Sequence, residues 1–398
     1  MLRLSLNEGG RRRHALRAFL TEYDCQAYVV FTSDNFFYVS NFHLDVQPWE
    51  RPVAAIFPRD GDPVLILNEL STNHFHMAVA RESCWVTDAR IYLEHLSEVR
   101  RTYLRPEWDR LFVDTLRDLG VRRGRVAVDT LGPVSPGIRA ALPDLAFEDR
   151  ADVIRDLRLV KSAEELGLMR VCGELSDWGQ AQFKALLAPG VPIIEVSLET
   201  ARRLGVHVAQ RHPAELIEVR ASGVAGEDSI CPHNSGANSG RALRPGDSVL
   251  SVVVLRINGY GVENERTYVI GPPSADQQRY FEVMSKAQHA AIAVMTEGHV
   301  VAEIDAVAQA VHNEAGTSEY LYHRAGHGIG IAGHEYPDDT AFNYRPLRAG
   351  MVFSSEPALF VPGLGGFRNS DTVIVGTDAP EPVTRFTKRL DDLIIGAS

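Results

Sequence analysis

The sequence has few cysteines, no long apolar run and no excess of basic residues. Only four of its 398 residues are cysteines, and they form no Cys-x-x-Cys pair, which excludes a disulfide framework and a zinc or redox site of that type. Because 41 Lys and Arg residues face 52 Asp and Glu residues, the formal net charge is −11, which disfavours general binding to nucleic acid or anionic membranes. Residues 1–14 carry charges where a secretion signal needs an apolar stretch. These absences predict a protein of the reducing cytoplasm with neither nucleic acid nor membrane as a partner.

The chain is long enough for two domains, because 398 residues exceed the ~250–300 at which a single core usually stops growing. Short β-branched runs alternate with helical patterns in the first part, which predicts a smaller α/β domain with a mixed sheet over residues 1–155. Longer helical patterns and paired strands follow over residues 156–398. Ser162 and Glu165 have the spacing of a capping box and predict the start of a long helix that ends before Pro189. The predicted fold class is α+β.

The second half is predicted to contain further elements in a regular order. The apolar run 249–255 is far shorter than the ~20 residues of a membrane helix and predicts a buried strand. Helices are predicted at about 194–204, 277–296 and 302–315, and strands around 216–222, 247–256, 259–270, 351–355 and 371–375.

Several motifs follow one another along this half. Residues 158–165 read Arg-Leu-Val-Lys-Ser-Ala-Glu-Glu, and residues 246–267 form a hairpin pattern that ends in Glu-Arg-Thr. Further motifs follow at 326–330 (Gly-His-Gly-Ile-Gly), 334–337 (His-Glu-Tyr-Pro), 350–357 and 366–371. In this order and spacing they resemble the pita-bread hydrolases, the family of creatinase, the Xaa-Pro peptidases and methionine aminopeptidase. The resemblance implies a pita-bread catalytic domain, a creatinase-like N-terminal domain, and an enzyme that hydrolyses C–N bonds.

The metallopeptidases of this family hold two metal ions between two Asp, one His and two Glu residues, and a bridging water is the nucleophile. The resemblance places these ligands, in order, at Val252, Glu263, His327, Glu356 and Ser370. A valine offers no donor atom, and a serine hydroxyl is a poor substitute for a carboxylate that bridges two cations. The two remaining carboxylates offset the charge of only one divalent ion. The sequence therefore predicts that no dinuclear centre forms.

The remaining polar residues resemble the metal-independent branch of the family. In creatinase, a His upstream of the hairpin and a Glu immediately before Arg-Thr act without a metal ion, and His233 and Glu265 occupy those positions. Glu356 matches a third polar residue of that site. An imidazole titrates near neutrality, so His233 is predicted to take a proton from water and return it to the leaving nitrogen. Glu265 and Glu356 are predicted to orient this imidazole and to bind a cationic amidinium or guanidinium group.

Further residues are predicted to bind the substrate at the same site. Glu263 alternates with Glu265 on one predicted strand, so both side chains face one pocket. The glycines around His327 favour a role for this histidine in a pocket. His334 belongs to a motif that resembles the peptidases, and Ser370 is predicted to add a hydrogen bond.

Two features leave alternatives open. Cys231 precedes Pro232 and His233, and it is either a small buried thiol or a nucleophile activated by the neighbouring imidazole. Residues 49–51, Trp-Glu-Arg, lie on a predicted loop and either cap the site of a partner subunit, as the N-terminal domain does in creatinase-like dimers, or form an ordinary loop.

The leading hypothesis is a cytoplasmic, homodimeric hydrolase of a small amidine, guanidine, cyclic amide or peptide-like compound, which works without a metal ion or other cofactor. The first alternative is an Xaa-Pro peptidase of the prolidase or aminopeptidase P type, which keeps at most one metal ion on Glu263, His327 and Glu356. The second alternative is a non-catalytic binding module, because some pita-bread proteins keep the fold without catalysis. The identity of the substrate stays open.

Overall fold

The structure, a computed structural model, describes residues 2–44, 50–93, 104–231, 238, 240–338 and 341–396. His233 and Trp49, to which the sequence assigned roles, lie outside the described residues. The chain divides into an N-terminal unit, Leu4–Arg158, and a C-terminal unit, Leu159–Ser398, which also includes the first three residues. Among the described helices, none combines the length and the apolar character that crossing a bilayer requires.

The N-terminal unit is built on one mixed sheet. Its helices are α1 (Leu6–Glu22), α2 (Ser33–Ser40), α3 (Thr72–Ala80), α4 (Leu104–Asp118), α5 (Pro136–Ala141) and α6 (Ala151–Leu159), and its strands are β1 (Cys25–Val30), β2 (Ala54–Pro58), β3 (Val64–Asn68), β4 (Asp88–Tyr92), β5 (Gly124–Val128) and β6 (Leu145–Asp149). The strand order is β4-β3-β2-β1-β5-β6. The pairs β1–β2 and β2–β3 are antiparallel and the others are parallel, which confirms the predicted mixed sheet.

The hydrophobic core of this unit follows from the spacing of apolar residues along its helices and strands. Trp108, Phe112 and Leu116 recur every four residues along α4 and therefore share one face of that helix. This face packs in one cluster with Val29 and Val126 of the neighbouring strands β1 and β5. Both strands are buried along most of their length, as expected for strands covered on both faces.

The C-terminal unit has a larger, mainly antiparallel sheet. Its helices are α7 (Ala163–Leu186), α8 (Ile193–Arg211), α9 (Ala275–Ala293), α10 (Val301–Ala315) and α11 (Leu390–Leu393), and its strands are β7 (Ile217–Ala225), β8 (Ser248–Ile257), β9 (Tyr260–Ile270), β10 (Gly326–Gly328), β11 (Glu335–Asp338), β12 (Val352–Ser355), β13 (Ala358–Val361), β14 (Gly365–Arg368), β15 (Ser370–Ile374), β16 (Glu381–Pro382) and β17 (Ile394–Ile395). The sheet order is β11-β10-β12-β15-β9-β8-β7, β16 pairs with β15, and β17 pairs with β9 in parallel. Strands β13 and β14 form a separate hairpin.

The predicted helix start at Ser162 is confirmed. The Glu165 N–H donates to Ser162 Oγ at 3.3 Å, and the Ser162 N–H donates to Glu165 Oε2 at 2.6 Å, so both halves of a capping box are present. Helix α8 extends further than predicted, to Arg211, since Gly205 does not end it. Packing of α8 against β7 outweighs the modest helix penalty of this glycine.

Candidate active site

A cavity of about 480 Å³ lies on one face of the C-terminal sheet, over β7, β8 and β9. Every second residue of an antiparallel strand faces the same side, so the three strands present aligned rows of side chains to the cavity. One row pairs Ser222 with Val252 and Val252 with Glu265, and the next pairs Arg220 with Val254 and Val254 with Glu263. All six residues line the cavity, which confirms that Glu263 and Glu265 share a face.

Three carboxylates converge at the β9 end of this cavity. Glu263, Glu265 and Glu356 each offer an oxygen atom, and these atoms lie within 4.8 Å of one another. Glu265 and Glu356 are buried, with relative exposures of 1% and 8%, and Glu263 is half-buried. Like charges this close repel strongly away from water, so the cluster requires a positive charge or retained protons. The structure thus brings together three of the predicted site residues.

Arg368 on β14 supplies one fixed positive charge to this cluster. Its Nε lies 2.5 Å from Glu265 Oε2, and its Nη2 donates to Glu265 Oε1 at 2.8 Å. Its Nη1 lies 3.7 Å from Glu356 Oε2. The Arg368 backbone exchanges two hydrogen bonds of 2.8 Å with the Thr267 hydroxyl on β9, which holds β14 in place. One guanidinium does not balance three carboxylates, so the site favours a further cation.

No role was assigned to Arg368 from the sequence, although its motif was recognised. The signal was present, because an arginine in the buried, otherwise uncharged strand Gly365–Arg368 must find a counter-charge. Which carboxylate pairs with it depends on the register of distant strands.

Two histidines cover the carboxylates. Nε2 of His327 lies 3.8 Å from Glu263 Oε2 and 3.5 Å from Glu356 Oε1, and it has no hydrogen-bond partner among the described residues. Nδ1 of His327 faces the Gly328 carbonyl oxygen at 3.0 Å, which favours a proton on Nδ1 and a free lone pair on Nε2. The His334 ring stacks on the His327 ring with centroids 3.7 Å apart, and His334 lines the cavity.

Gly328 makes this stacking possible. A Cβ atom at this position would lie 2.6 Å from the carbonyl oxygen of Glu335, closer than side chains approach in practice. The glycine therefore lets β11 approach β10, and this approach carries the preceding His334 over His327. Lys161 holds the same segment by donating to Glu335 Oε2 at 3.1 Å.

Burial and mutual charge separate the protonation behaviour of the site residues. Burial raises the pKa of Glu265 well above its usual value, and Glu263 and Glu356 add to this effect although Arg368 opposes it. Burial also acts to raise the pKa of Glu356, but Arg368 and His327 outweigh it, so this pKa lies below its usual value. Burial, followed by His327, lowers the pKa of His334. Of Glu265 and Glu356, Glu356 is therefore the carboxylate that ionises first.

The two positions that lack a metal ligand differ in their placement. Val252 lines the cavity beside Glu265, where a carboxylate would have faced the site. Ser370 is fully buried and is not among the residues that line the cavity, because its Oγ bonds with Ser354 Oγ at 2.7 Å. Direct binding of substrate by Ser370 is thus not favoured by its placement.

The donor set fits one divalent metal ion and does not fit two. Glu263, His327 and Glu356 face one another, and the unpartnered Nε2 of His327 points between the two carboxylates. A second ion would need donors at Val252, which has none, and at Ser370, whose hydroxyl is bonded with Ser354. Glu265 is already bound to Arg368. Three oxygen and nitrogen ligands with an open position suit a single ion with bound water.

The four cysteines are all free thiols in the structure. Cys231 is half-buried and follows a short 3-10 helix, Gly226–Ile230, and the other cysteines are buried. Because His233 is outside the described residues, its acid–base role stays a prediction.

Comparison with known proteins identifies both units. Residues 167–377 match the model of metallopeptidase family M24, and residues 12–160 match the creatinase/prolidase N-terminal domain. These matches confirm the resemblance read from the motifs.

Individual relatives agree with this family assignment. A probable dipeptidase PepE of Mycobacterium bovis is 37% identical, and the alignment covers 60% of this chain and 60% of that protein. An Xaa-Pro dipeptidase of Lactobacillus delbrueckii subsp. lactis is 33% identical over 64% of this chain and 67% of its own length. The crystal structure of dipeptidase PepE from Mycobacterium ulcerans has a TM-score of 0.79 at 28% identity and covers 99% of both chains. The likeness confirms the predicted α+β pita-bread architecture.

Proposed function

This chain belongs to metallopeptidase family M24, and from that premise we propose that it hydrolyses the peptide bond of a dipeptide in the cavity of its C-terminal unit. The observation that carries the proposal is the convergence of Glu263, His327 and Glu356 on one cation position beside Arg368. The dipeptidase and Xaa-Pro dipeptidase relatives support a peptide substrate. They give no support to the leading hypothesis from the sequence, a metal-independent amidine or guanidine hydrolase, and favour its first alternative.

Glu263, His327 and Glu356 would hold a single divalent ion. When bound, such an ion polarises the scissile carbonyl group and lowers the pKa of water. The buried Arg368 keeps the Glu265 and Glu356 carboxylates in place, so the donors are oriented before a ligand arrives. This preorganisation reduces the reorganisation that catalysis needs.

The chain's own residues provide the proton transfers. Glu356 is the carboxylate of lowered pKa, so it is ionised near neutrality and accepts a proton from the attacking water at a carboxylate oxygen. The same oxygen then returns the proton to the leaving amide nitrogen. His334 lines the cavity with a lowered pKa, so its neutral imidazole hydrogen-bonds the substrate while its ring shields the back of His327.

The N-terminal end of the dipeptide faces Glu263, Glu265 and Glu356 in this proposal. Three carboxylates against one guanidinium leave an excess of negative charge, which attracts the single divalent ion and repels the carboxylate end of a dipeptide. Burial strengthens this attraction because little water screens it.

The test is a hydrolysis assay on a panel of Xaa-Pro and other dipeptides, amidines, guanidines and cyclic amides. The expected result is cleavage of dipeptides, with about one divalent ion per chain and activity lost to a chelator. Cleavage of amidines or guanidines alone would overturn the proposal. Cleavage of dipeptides that survives complete metal removal and is abolished by His233→Ala would return the chemistry to the metal-independent reading.

A further inference from the structure

The cavity has a second charged end, away from the carboxylate cluster. Strand β7 forms the edge of the sheet, and Glu218, Arg220 and Ser222 face the cavity from it at every second position. Arg256 on β8 lies beside Glu218 in the strand register. Two arginines, Arg220 and Arg256, and one glutamate, Glu218, thus border the cavity on the side opposite the acidic cluster.

The two arginines of this end differ in what they bind. Arg256 is engaged, because its Nη1 donates to the carbonyl oxygens of Gly259 and Ile331 and so ties β8 to the segment after β10. Arg220 is exposed and has no ion pair or hydrogen bond with any residue that the structure describes. A cavity-lining guanidinium without a protein partner is available for an anion.

Between the two ends the floor of the cavity is apolar. Val254 separates Arg220 from Glu263 in one row, and Val252 separates Ser222 from Glu265 in the next. Neighbouring strands lie ~4.8 Å apart, so the backbones that carry Glu263 and Arg220 are about 10 Å apart. The cavity therefore runs from three carboxylates over two valines to an end where two arginines outnumber the carboxylate of Glu218.

This spacing matches a small zwitterion. A dipeptide extends ~7 Å along its backbone, at ~3.6 Å per residue, and the long side chains of glutamate and arginine cover the remaining distance. Its N-terminal end would face the carboxylate cluster and its C-terminal carboxylate would face the Arg220 guanidinium. Val252 and Val254 would lie under the middle of the dipeptide.

We infer that Arg220 binds the C-terminal carboxylate of the substrate and makes the cavity selective for dipeptides with a free C-terminus. This inference rests on the proposed dipeptidase function and adds the residue that sets the substrate class. A planar guanidinium forms two parallel hydrogen bonds with a carboxylate, which an amide cannot reproduce. Loss of this contact therefore weakens binding of the peptide acid and leaves binding of the peptide amide unchanged.

The test compares leucyl-proline with leucyl-proline amide on the wild-type chain and on Arg220→Gln. The wild type is expected to prefer the acid over the amide, and Arg220→Gln is expected to lower kcat/KM for the acid by about 10- to 100-fold, mainly through KM, while the value for the amide changes less than about twofold. Arg220→Lys, which keeps the charge but not the paired geometry, should retain part of the preference. Arg244→Gln removes an exposed arginine outside the cavity and serves as the matched control.

The outcomes separate this inference from the proposed function. If Arg220→Gln weakens both peptides equally or neither, the role of Arg220 is wrong although dipeptide hydrolysis stands. If the wild type cleaves neither peptide, the proposed function fails, and calorimetric binding of the same acid and amide decides the role of Arg220. Tighter binding of the acid that disappears in Arg220→Gln supports it, and equal or absent binding of both peptides overturns it.

Discussion

Glu265 and Arg266 are neighbours on β9, yet they belong to two clusters of opposite character. Arg266 points away from the cavity and is fully bonded: its Nη2 lies 2.8 Å from Asp371, and its other nitrogens donate to carbonyl oxygens of Ser370, Phe386 and Glu265. Asp371 also accepts from Lys388 at 2.6 Å. Glu265 points into the cavity, where carboxylates outnumber the one guanidinium.

The difference shows how one strand serves both stability and chemistry. In the first cluster, which we call the Asp371 cluster, each charge has a partner and the carbonyl oxygens use the remaining donors, so nothing is left to bind a ligand. In the second, which we call the Glu265 cluster, excess negative charge and an unpartnered imidazole nitrogen remain among the described residues. The first cluster is structural because its donors and acceptors bond with one another. The second is reactive because its excess negative charge lies where little water screens it.

The largest expected effect is in the Asp371 cluster. Asp371→Asn leaves Arg266 and Lys388 without their carboxylate in the core, so we expect the free energy of unfolding to fall by ~3–5 kcal/mol. Chemical denaturation measures the change, and Lys286→Gln, at an exposed ion pair with Glu314, is the control that should change stability by less than ~0.5 kcal/mol. A loss below 1 kcal/mol for Asp371→Asn would show that the cluster is not the structural element described above.

The next largest effect is expected in the Glu265 cluster. Glu356→Gln removes the proposed proton acceptor, and we expect kcat to fall by ~10²- to 10⁴-fold on the dipeptide that the wild type cleaves fastest. Stability should change little, because the variant relieves repulsion among the carboxylates. Steady-state kinetics beside a denaturation curve measures both. A variant that keeps wild-type kcat would rule out Glu356 as the proton acceptor.

A buried group without any counter-charge extends the comparison. His312 is buried, no carboxylate pairs with it among the described residues, and burial lowers its pKa to about 4. Since its folded pKa lies below its unfolded value of about 6.5, the unfolded chain binds more protons in this range, and stability present above pH 6.5 is lost as the pH falls towards 4.

The expected size of this loss is up to about 3 kcal/mol, because each pKa unit corresponds to ~1.4 kcal/mol. Denaturation curves between pH 7 and 4 should therefore show a shallower decline for His312→Gln than for the wild type, and His289→Gln, at an exposed histidine, should follow the wild type. Parallel curves for His312→Gln and the wild type would contradict the assigned protonation behaviour.

The smallest expected effect is Glu265→Gln. This change removes one carboxylate from a cluster that has too many, and Arg368 keeps Glu356 as a neighbour, so we expect less than about 1 kcal/mol of change in stability. The comparison with Asp371→Asn is direct, since both variants neutralise a buried, arginine-paired carboxylate. Equal losses in the two variants would mean that the two clusters do not differ in charge balance.

Much of the site could be predicted from local motifs. The alternation of Glu263 and Glu265 on one strand predicts their shared cavity face, because strand alternation is a local property. The glycines around His327 are a local signal too, and the structure puts this ring beside Glu263 and Glu356. The capping box at Ser162 was equally local. Ser370 was assigned to the substrate from the motif alone, and its hydrogen bond to Ser354 depends on the pairing of β12 with β15.

Other parts depended on contacts that no local pattern reveals. Helix α2 and the β13–β14 hairpin were not predicted, since short apolar segments such as 358–361 read equally well as buried strand or helix. Arg368 and Arg220 were missed for a similar reason. Each reaches the cavity only because its strand pairs with, or packs on, others far away in the sequence.

The sequence by itself determined the family and the α+β class, because these follow from residue types in ordered motifs. It also predicts that metal donors are missing at Val252 and Ser370. Only the tertiary structure decided how the remaining charges are shared. The register of β7, β8 and β9 sets Glu263 against Val254 and Arg220, and the approach of β14 brings Arg368 onto Glu265. Charge interactions depend on distance and on exclusion of water, and both are properties of the folded chain.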